Sequence, residues 1–303
     1  MNALVIGQGS IGQRHAGILT RLGLDVGVVS QHLEPGQNRF SDLQTAVKQM
    51  KPDYVVIANS TAKHFTSLQE LHATGYSGKI LIEKPVFENF REIGPLGKMQ
   101  VFVGYNLRFH PILTRLKNIL ADQKICSINA YVGQYLPSWR PHQDYRKSYS
   151  AQKKEGGGVL RDLSHELDYL TWIFGHWNSV TAIAGKFSDL DIDAEDTCSI
   201  LMRTARCPVI TLELNYLDRI SQRTLTINTA EHTYHADLVN GFLNLEGQTE
   251  KFENDRDSTY LTLHQSILNH SGKDVCSLSE GLKTLLFAEA IEKSNREGIW
   301  VHS

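Results

Sequence analysis

Asn2-Ala3-Leu4-Val5-Ile6-Gly7-Gln8-Gly9-Ser10-Ile11-Gly12 opens the chain, an apolar run that empties into G-x-G-x-x-G. In a strand-turn-helix, the first glycine makes the tight turn and the second lets main chain approach a pyrophosphate. The third lets the helix pack close, with its first N–H groups facing the phosphates. Taken alone, such glycines can also do no more than shape a turn. Here Ile11, Ile18, Leu19 and Leu22 recur at helical spacing behind them, and residues 25–29 read as a second strand of the expected unit. A dinucleotide site is therefore expected at Gly7, Gly9, Ser10, Ile11 and Gly12.

The alternation continues outward from this unit. Residues 3–6, 25–29, 54–58, 79–82 and 100–104 read as strands, one helix starts at Ser41-Asp42, and another runs over 64–74 before Gly75. The pattern predicts a doubly wound parallel Rossmann sheet over residues 1–110, with ligands outside the strands' carboxyl ends. After Pro111 the texture changes: a helix to residue 120, a strand over 125–135, a polar loop over 137–155, then strands such as 179–187, 197–202, 209–216 and 223–228. Strands without intervening helices, closed by helices near 258–269 and 279–294, predict a second domain over 111–303. Its class is α+β, on a largely antiparallel open sheet.

Composition sets limits on function. The 303 residues are 41% hydrophobic and 21% charged with net charge −2, which gives no general field for nucleic acid or an anionic membrane. No apolar stretch approaches the ~20 residues of a membrane span. The first strand begins at residue 2, which leaves no room for a signal peptide, and a cytoplasmic location is expected. Cys126, Cys198, Cys207 and Cys276 lack C-x-x-C spacing and the 13 histidines include no H-E-x-x-H, so reduced thiols and no metal are expected.

Two further stretches carry chemistry. Glu83-Lys84-Pro85 and Tyr105-Asn106 each follow a strand, at the same edge as the glycine turn. Oxidising an alcohol by hydride transfer needs a base for the hydroxyl proton, and the reverse reaction needs an acid; Lys84 suits either role. An isolated Glu-Lys-Pro is more often a surface turn. Gly156-Gly157-Gly158 then opens a segment on which Asp162, His165 or Glu166, and Tyr169 share one face of a continuous helix. Leu160, Leu163, Leu167, Leu170 and Ile173 form the other. An aspartate beside an imidazole fixes its tautomer, although a solvated pair on an amphipathic helix has the same spacing.

Together these residues resemble the glucose-fructose oxidoreductase, inositol dehydrogenase and rhizopine-catabolism family, Gfo/Idh/MocA. The resemblance spans nearly the whole chain: the glycine turn, Asn59-Ser60-Thr61 with His64, Glu83-Lys84-Pro85, Val103-Gly104-Tyr105-Asn106-Leu107-Arg108-Phe109, the triple glycine with Asp162, and a last helix from Ser279 to Ser294. It implies an NAD(P)-dependent oxidoreductase acting on a sugar, amino sugar, sugar nucleotide or cyclitol. Lys84 would be general acid/base, the Lys84–Pro85 bond cis, and Asp162 and His165 substrate-facing. Pairing of subunits through the second sheet, as a homodimer or homotetramer, is implied as well. The chain departs from the family in one respect: His165 follows Asp162 by three residues, and Glu166 holds the usual histidine spacing.

With the resemblance included, Ser30, Asn59, His64, Glu83, Lys84 and Asn106 join the glycine turn as coenzyme contacts. Lys84, Arg108, Trp139, Arg140, Tyr145, Arg146, Asp162 and His165 become substrate contacts. The second strand ends in Val28-Val29-Ser30-Gln31-His32 without the acid that takes ribose hydroxyls in NAD sites. NADP is favoured over NAD on that absence, with Ser30 or His32 at a phosphate and Arg14 or Arg39 nearby, while Glu34 leaves NAD open. The loop around Trp139-Arg140 and Tyr145-Arg146 mixes rings with guanidinium groups, a surface for an anionic sugar derivative or simply a solvated polar loop. A non-catalytic coenzyme-binding sensor is the main rival. Lys84, Asn106 and the Asp162 segment weigh against it, and the missing acid weighs against a methyltransferase.

Overall fold

A computed structural model of the 303-residue chain describes residues 1–31, 36–139, 143–253, 255–269 and 271–303. The first third contains β1 (Asn2–Ile6), α1 (Ser10–Arg21), β2 (Asp25–Val29), β3 (Arg39–Phe40), α2 (Leu43–Met50), β4 (Tyr54–Ile57), α3 (Thr61–Ala73), β5 (Lys79–Ile82) and β6 (Gln100–Val103). The middle adds α4 (Pro111–Ile119), β7 (Ile125–Gly133), α5 (Val159–Asp162), α6 (His165–Phe174), β8 (Trp177–Gly185), β9 (Thr197–Thr204), β10 (Ile210–Asn215), β11 (Gln222–Thr229), β12 (Thr233–Asp237), β13 (Phe242–Leu245) and β14 (Gln248–Lys251). The chain finishes with α7 (Ser258–Leu268), β15 (Cys276–Ser277), α8 (Leu278–Glu297) and β16 (Val301–His302).

Two sheets result, as the α/β reading expects. One has the order β15-β6-β5-β4-β1-β2-β3, with β1 to β6 parallel and β15 antiparallel at the edge. β1, well inside the sheet, is apolar on both faces, Ala3, Leu4 and Val5 having no exposed surface, which is what a sheet covered by helices on both sides requires. The strand order reverses between β1 and β4, so the switch point lies where Gly7 and Asn59 leave those two strands. Asp42 caps α2 by accepting the Thr45 N–H at 2.8 Å, which explains why that helix starts where the Ser41-Asp42 signal places it.

The other sheet has nine strands, β14-β13-β12-β11-β7-β10-β9-β8-β16, antiparallel throughout except for β7 beside β10. Alternation of buried and exposed residues along β9 shows one face packed on a core and one left open. The segment expected as a plain polar loop is instead wound into short turns at Leu136–Ser138, Tyr145–Lys147, Tyr149–Ala151 and Lys153–Glu155.

The division of the chain differs from a simple cut at residue 110. One unit comprises Met1–Asn106 with Arg256–Leu285, and the other Leu107–Asp255 with Leu286–Ser303. The return of the chain has a physical cause in three contacts. β15 pairs with β6, Lys79 Nζ donates to the Ile267 carbonyl at 2.5 Å, and His264 on α7 hydrogen-bonds His15 and Tyr54 inside the first unit. No described helix is long and apolar enough to cross a membrane.

Candidate active site

The residues expected to meet a coenzyme stand at the ends of the parallel strands. Gly7 leaves β1 with φ 116°, a region favourable only to glycine, and a Cβ there would strike the Ala58 carbonyl at the end of β4. A Cβ on Gly12 would collide with the Gly7 carbonyl, so α1 lies directly against the turn. Gly9 is different, because its Cβ would meet nothing within 4 Å. Close packing at Gly7 and Gly12 beside an open Gly9 makes a cradle. It is lined by the first N–H groups of α1 at Ser10 and Ile11, with no capping side chain and no acid in the first turn. Such a helix start favours a phosphate anion.

The ends of the neighbouring strands supply polar atoms to the same edge. Asn59 donates through Nδ2 to Ser67 Oγ at 2.9 Å, and Asn106 through Nδ2 to Thr259 Oγ1 at 2.7 Å. The Oδ1 of each is buried without a hydrogen-bond partner among the described residues. Two orphaned acceptors at strand ends fit a ligand that brings its own donors, as a nicotinamide dinucleotide does. Ser30 is half-buried at the end of β2, its N–H bonded to the Phe40 carbonyl at 3.0 Å. His32 and Glu34 lie outside the described residues. Arg14, expected near a phosphate, pairs with Asp257 at 3.5 Å and lies over the Tyr260 ring.

Lys84 is half-buried beyond the end of β5, and the Lys84–Pro85 bond is cis. Its neighbours Glu83 and His64 point inward. Glu83 Oε1 accepts from His15 at 2.8 Å, and Oε2 accepts the Lys84 N–H at 3.2 Å. Burial alone would raise the Glu83 pKa, yet the hydrogen bond from His15, together with Lys84, holds it below the usual carboxylate value. His64 is 1% exposed, with Nδ1 3.2 Å from the Pro85 and Val86 carbonyls and Nε2 3.2 Å from that of Asn59. Burial lowers its pKa. These two expected coenzyme contacts instead tie the strand-end turns to one another.

The second unit holds Asp162 by a different device. Its carboxylate accepts from the Tyr149 and Tyr216 hydroxyls, the latter at 2.9 Å. The triple glycine makes this possible through close packing. A Cβ at Gly157 would run into the Tyr149 carbonyl, and one at Gly158, with φ 116°, into the Glu195 carboxylate. Glu195 in turn accepts the Leu160 N–H at 3.3 Å and is raised in pKa by its burial.

The expected continuous helix is broken. α5 ends at Asp162, Leu163 and Ser164 make a turn, and α6 begins at His165, so Asp162 and His165 do not lie on one regular helical face. His165 is half-buried, whereas Glu166 has no exposed surface and is ion-paired with Arg223 at 2.9 Å. The position at the family's usual histidine spacing therefore serves the core.

Arg108 is likewise turned inward. It makes a two-pronged pair with Asp168 at 2.9 and 2.7 Å, both side chains at most 4% exposed. Arg146 is exposed and held by Asp144 at 2.8 and 3.0 Å, which neutralises it locally. Trp139 meets Tyr216 edge-on with ring centres 5.3 Å apart, and its Nε1 is a buried donor without a partner among the described residues. Tyr145 Oη accepts the Asp191 N–H at 3.2 Å, while Arg140 falls outside the described residues. Among the described residues no group of three His, Cys, Asp or Glu is placed to hold a metal.

Residues 1–100 match the oxidoreductase family model with an NAD-binding Rossmann fold, and residues 113–235 match the GFO/IDH/MocA C-terminal domain. The chain belongs to the Gfo/Idh/MocA oxidoreductase family. An uncharacterised oxidoreductase of Synechocystis is 26% identical over 184 residues, 55% of this chain and 49% of that protein. The matched region thus takes in about half the length of the curated relative.

Solved structures share the fold across the full chain. GenD2 from gentamicin A biosynthesis, in complex with NAD, has a TM-score of 0.82 at 20% identity over 100% of this chain and 96% of that one. The WlbA dehydrogenase of Bordetella pertussis, with NADH and UDP-GlcNAcA, gives 0.79 at 20% over 100% and 98%. Levoglucosan dehydrogenase with NADH and levoglucosan gives 0.81 at 17% over 100% and 98%.

Several residues of this Gfo/Idh/MocA chain escape sequence reasoning. Tyr149 and Tyr216 stand 13 and 54 residues from the carboxylate they hold, with no local signal for either. His15 does leave one, as a polar residue on the otherwise apolar buried face of α1 with Ile18 and Leu19.

Proposed function

We propose that the chain is an NAD(P)-dependent dehydrogenase acting on a carbinol or carbonyl of a sugar-like substrate. The observation that carries this reading is the uncapped cradle at Gly9, with the orphaned Asn59 and Asn106 oxygens and Lys84 at neighbouring strand ends. When bound, the coenzyme supplies the hydride acceptor. Lys84 Nζ takes the hydroxyl proton as the carbinol is oxidised and returns it in the reverse direction. Asp162, oriented by its two tyrosines, and the half-buried His165 are assigned to the substrate hydroxyls, and Trp139 to a sugar face. Relatives of the same fold bind NAD(H) with a sugar nucleotide or an anhydrosugar, which supports this substrate class.

For the coenzyme we favour NADP, because the described tip of β2 carries Ser30 and Gln31 and no carboxylate. The NAD bound by GenD2 supports NAD as the second reading. Calorimetric titration with NADPH and NADH tests both. Gly9→Val fills the open cradle and should weaken binding of either coenzyme. Equal affinity in wild type and variant refutes the cradle, and tighter NADH binding refutes the preference.

A cytoplasmic location and self-association through the open sheet face, where Ile183 and Leu201 are exposed on adjacent strands, complete the proposal. A monomer by light scattering at micromolar concentration refutes the latter.

A further inference from the structure

Beneath the turn that carries Lys84 lies a row of polar side chains that neither the cradle nor the lysine chemistry uses. Tyr54 on β4, His264 on α7 and His15 on α1 have no exposed surface, and Glu83 is 5% exposed. Tyr54 Oη is 3.0 Å from His264 Nδ1, His264 Nε2 is 2.8 Å from His15 Nδ1, and His15 Nε2 is 2.8 Å from Glu83 Oε1. Glu83 Oε2 completes the row by accepting the Lys84 N–H at 3.2 Å.

The chemistry of these groups gives the row a direction. Burial raises the Tyr54 pKa well above its ordinary value, so the phenol keeps its proton and donates it to His264 Nδ1. Burial lowers the His264 pKa well below its ordinary value. A neutral His264 that accepts at Nδ1 carries its hydrogen on Nε2 and donates to His15 Nδ1. His15 then holds its own hydrogen on Nε2, directed at the Glu83 carboxylate, which can only accept. Every donor therefore points toward Glu83. The row starts at a buried phenol with no surface of its own, so it fixes charge and geometry and conducts no proton to water.

The surrounding groups are accounted for on each element. Tyr260 on α7 meets the His15 ring edge-on at 5.5 Å. Arg14 on α1 lies over Tyr260 at 5.3 Å and pairs with Asp257. His64 on α3 and Lys84 act electrostatically with Glu83, and Tyr76 with Tyr54.

We propose that Tyr54, His264 and His15 are positioning residues for Lys84, forming a one-way hydrogen-bonded chain that keeps Glu83 anionic and holds the Lys84 peptide in place. The inference rests on the reading of Lys84 as the acid/base group. It extends that reading to α7, which comes from the far end of the sequence. One row joins three elements and the turn after β5 with every ring nitrogen engaged, and that geometry carries it.

The test uses the full chain. Nitrogen NMR of histidine-labelled protein is expected to show His15 and His264 neutral, each protonated on Nε2; an imidazolium or an Nδ1–H form at either ring overturns the proposal without any variant. Tyr54→Phe then removes only the hydroxyl that sets the direction, and His264→Gln interrupts the row one step later. In both, acetic anhydride should acylate Lys84 faster relative to Lys63, read by peptide mass spectrometry. The expected change is about 2- to 10-fold, the equivalent of one neutral hydrogen bond. Turnover should fall while NADPH affinity stays at the wild-type value. Acylation at the wild-type rate in both variants overturns the chain. Unchanged hydride transfer in Lys84→Met would instead overturn the role of Lys84, which the acylation rates do not depend on.

Discussion

Gly7, Asn59, Lys84 and Asn106 stand one to three residues beyond the ends of β1, β4, β5 and β6, whereas Asp162 is held in place by side chains from two distant segments. In the first unit the main chain does most of the positioning: a parallel sheet delivers each strand end to one edge, glycines let the turns pack, and buried side chains steady only the Lys84 turn. In the second, a broken helix presents a carboxylate, and two tyrosine hydroxyls fix its direction. The contrast implies different responses to substitution. Changing Lys84 on the first unit should remove chemistry and leave geometry, while changing a residue that holds Asp162 on the second should disturb both.

The sharpest way to break this comparison is Lys84→Met, which keeps an apolar stem of similar length and removes the ammonium. Turnover should fall by about 10²- to 10⁴-fold, the usual contribution of a general acid/base, with coenzyme affinity and melting temperature unchanged. Hydride transfer at the wild-type single-turnover rate across the pH range would remove Lys84 from the mechanism.

Acid should come next in effect. His64 and His264 in the first unit and His110 in the second are all lowered in pKa by burial, His110 to about 4. Below pH ~6.5 the unfolded chain binds protons that the native chain refuses, so stability falls as the pH drops. His110 alone accounts for about 3 kcal/mol between pH 6.5 and 4. Glu83 adds to the loss in the first unit, because its lowered pKa gives stability that disappears as pH falls through its native value. Glu195 opposes it in the second, its raised pKa favouring the native state as carboxylates protonate. Hydrogen exchange is thus expected to show β1 losing protection at a higher pH than β10. Simultaneous loss in both would show that the units do not differ in this way.

Tyr216→Phe removes one of the two hydroxyls on Asp162 and should destabilise the chain by about 1.5 to 3 kcal/mol, the cost of a hydrogen bond to a charged group. Because the carboxylate is also released from its direction, substrate KM should rise with little change in coenzyme binding. Urea unfolding and steady-state kinetics check the two parts, and a stability loss with unchanged KM would confine Asp162 to structure. The smallest effect is expected from Arg146→Gln. Its surface pair with Asp144 should leave the melting temperature unmoved. KM should rise for an anionic sugar derivative and not for a neutral one, and an equal change for both would make 143–155 a structural loop.

The same contrast explains what could be read before folding. Period-2 and period-3.6 patterns with glycine punctuation are local, so the first sheet and the glycine cradle, with Lys84 at a strand end, were legible from short windows of sequence. The break at Leu163-Ser164 carries no glycine or proline to announce it. The burial of Glu166 depends on Arg223, brought in on β11 from a different part of the chain. Arg108 and Arg146 read as cations available to a substrate because Asp168 and Asp144 look like any other acids in sequence, and only the fold turns them into partners. Likewise β3 and β15, two residues each, are too short for any periodicity to reveal.

The return of residues 256–285 to the first unit also has a consequence for how the protein is made. His15 leaves the ribosome 249 residues before the His264 that it bonds, and β6 well before the strand that closes its edge. At ~5–20 residues per second the delay is about 10 to 50 seconds. Throughout it His15 and Tyr54 lack the histidine they bond, and the edge of β6 lacks its neighbour. A nascent chain stalled before residue 256 should therefore present an incomplete first unit, so that assembly of the turn bearing Lys84 waits for residues 256–285.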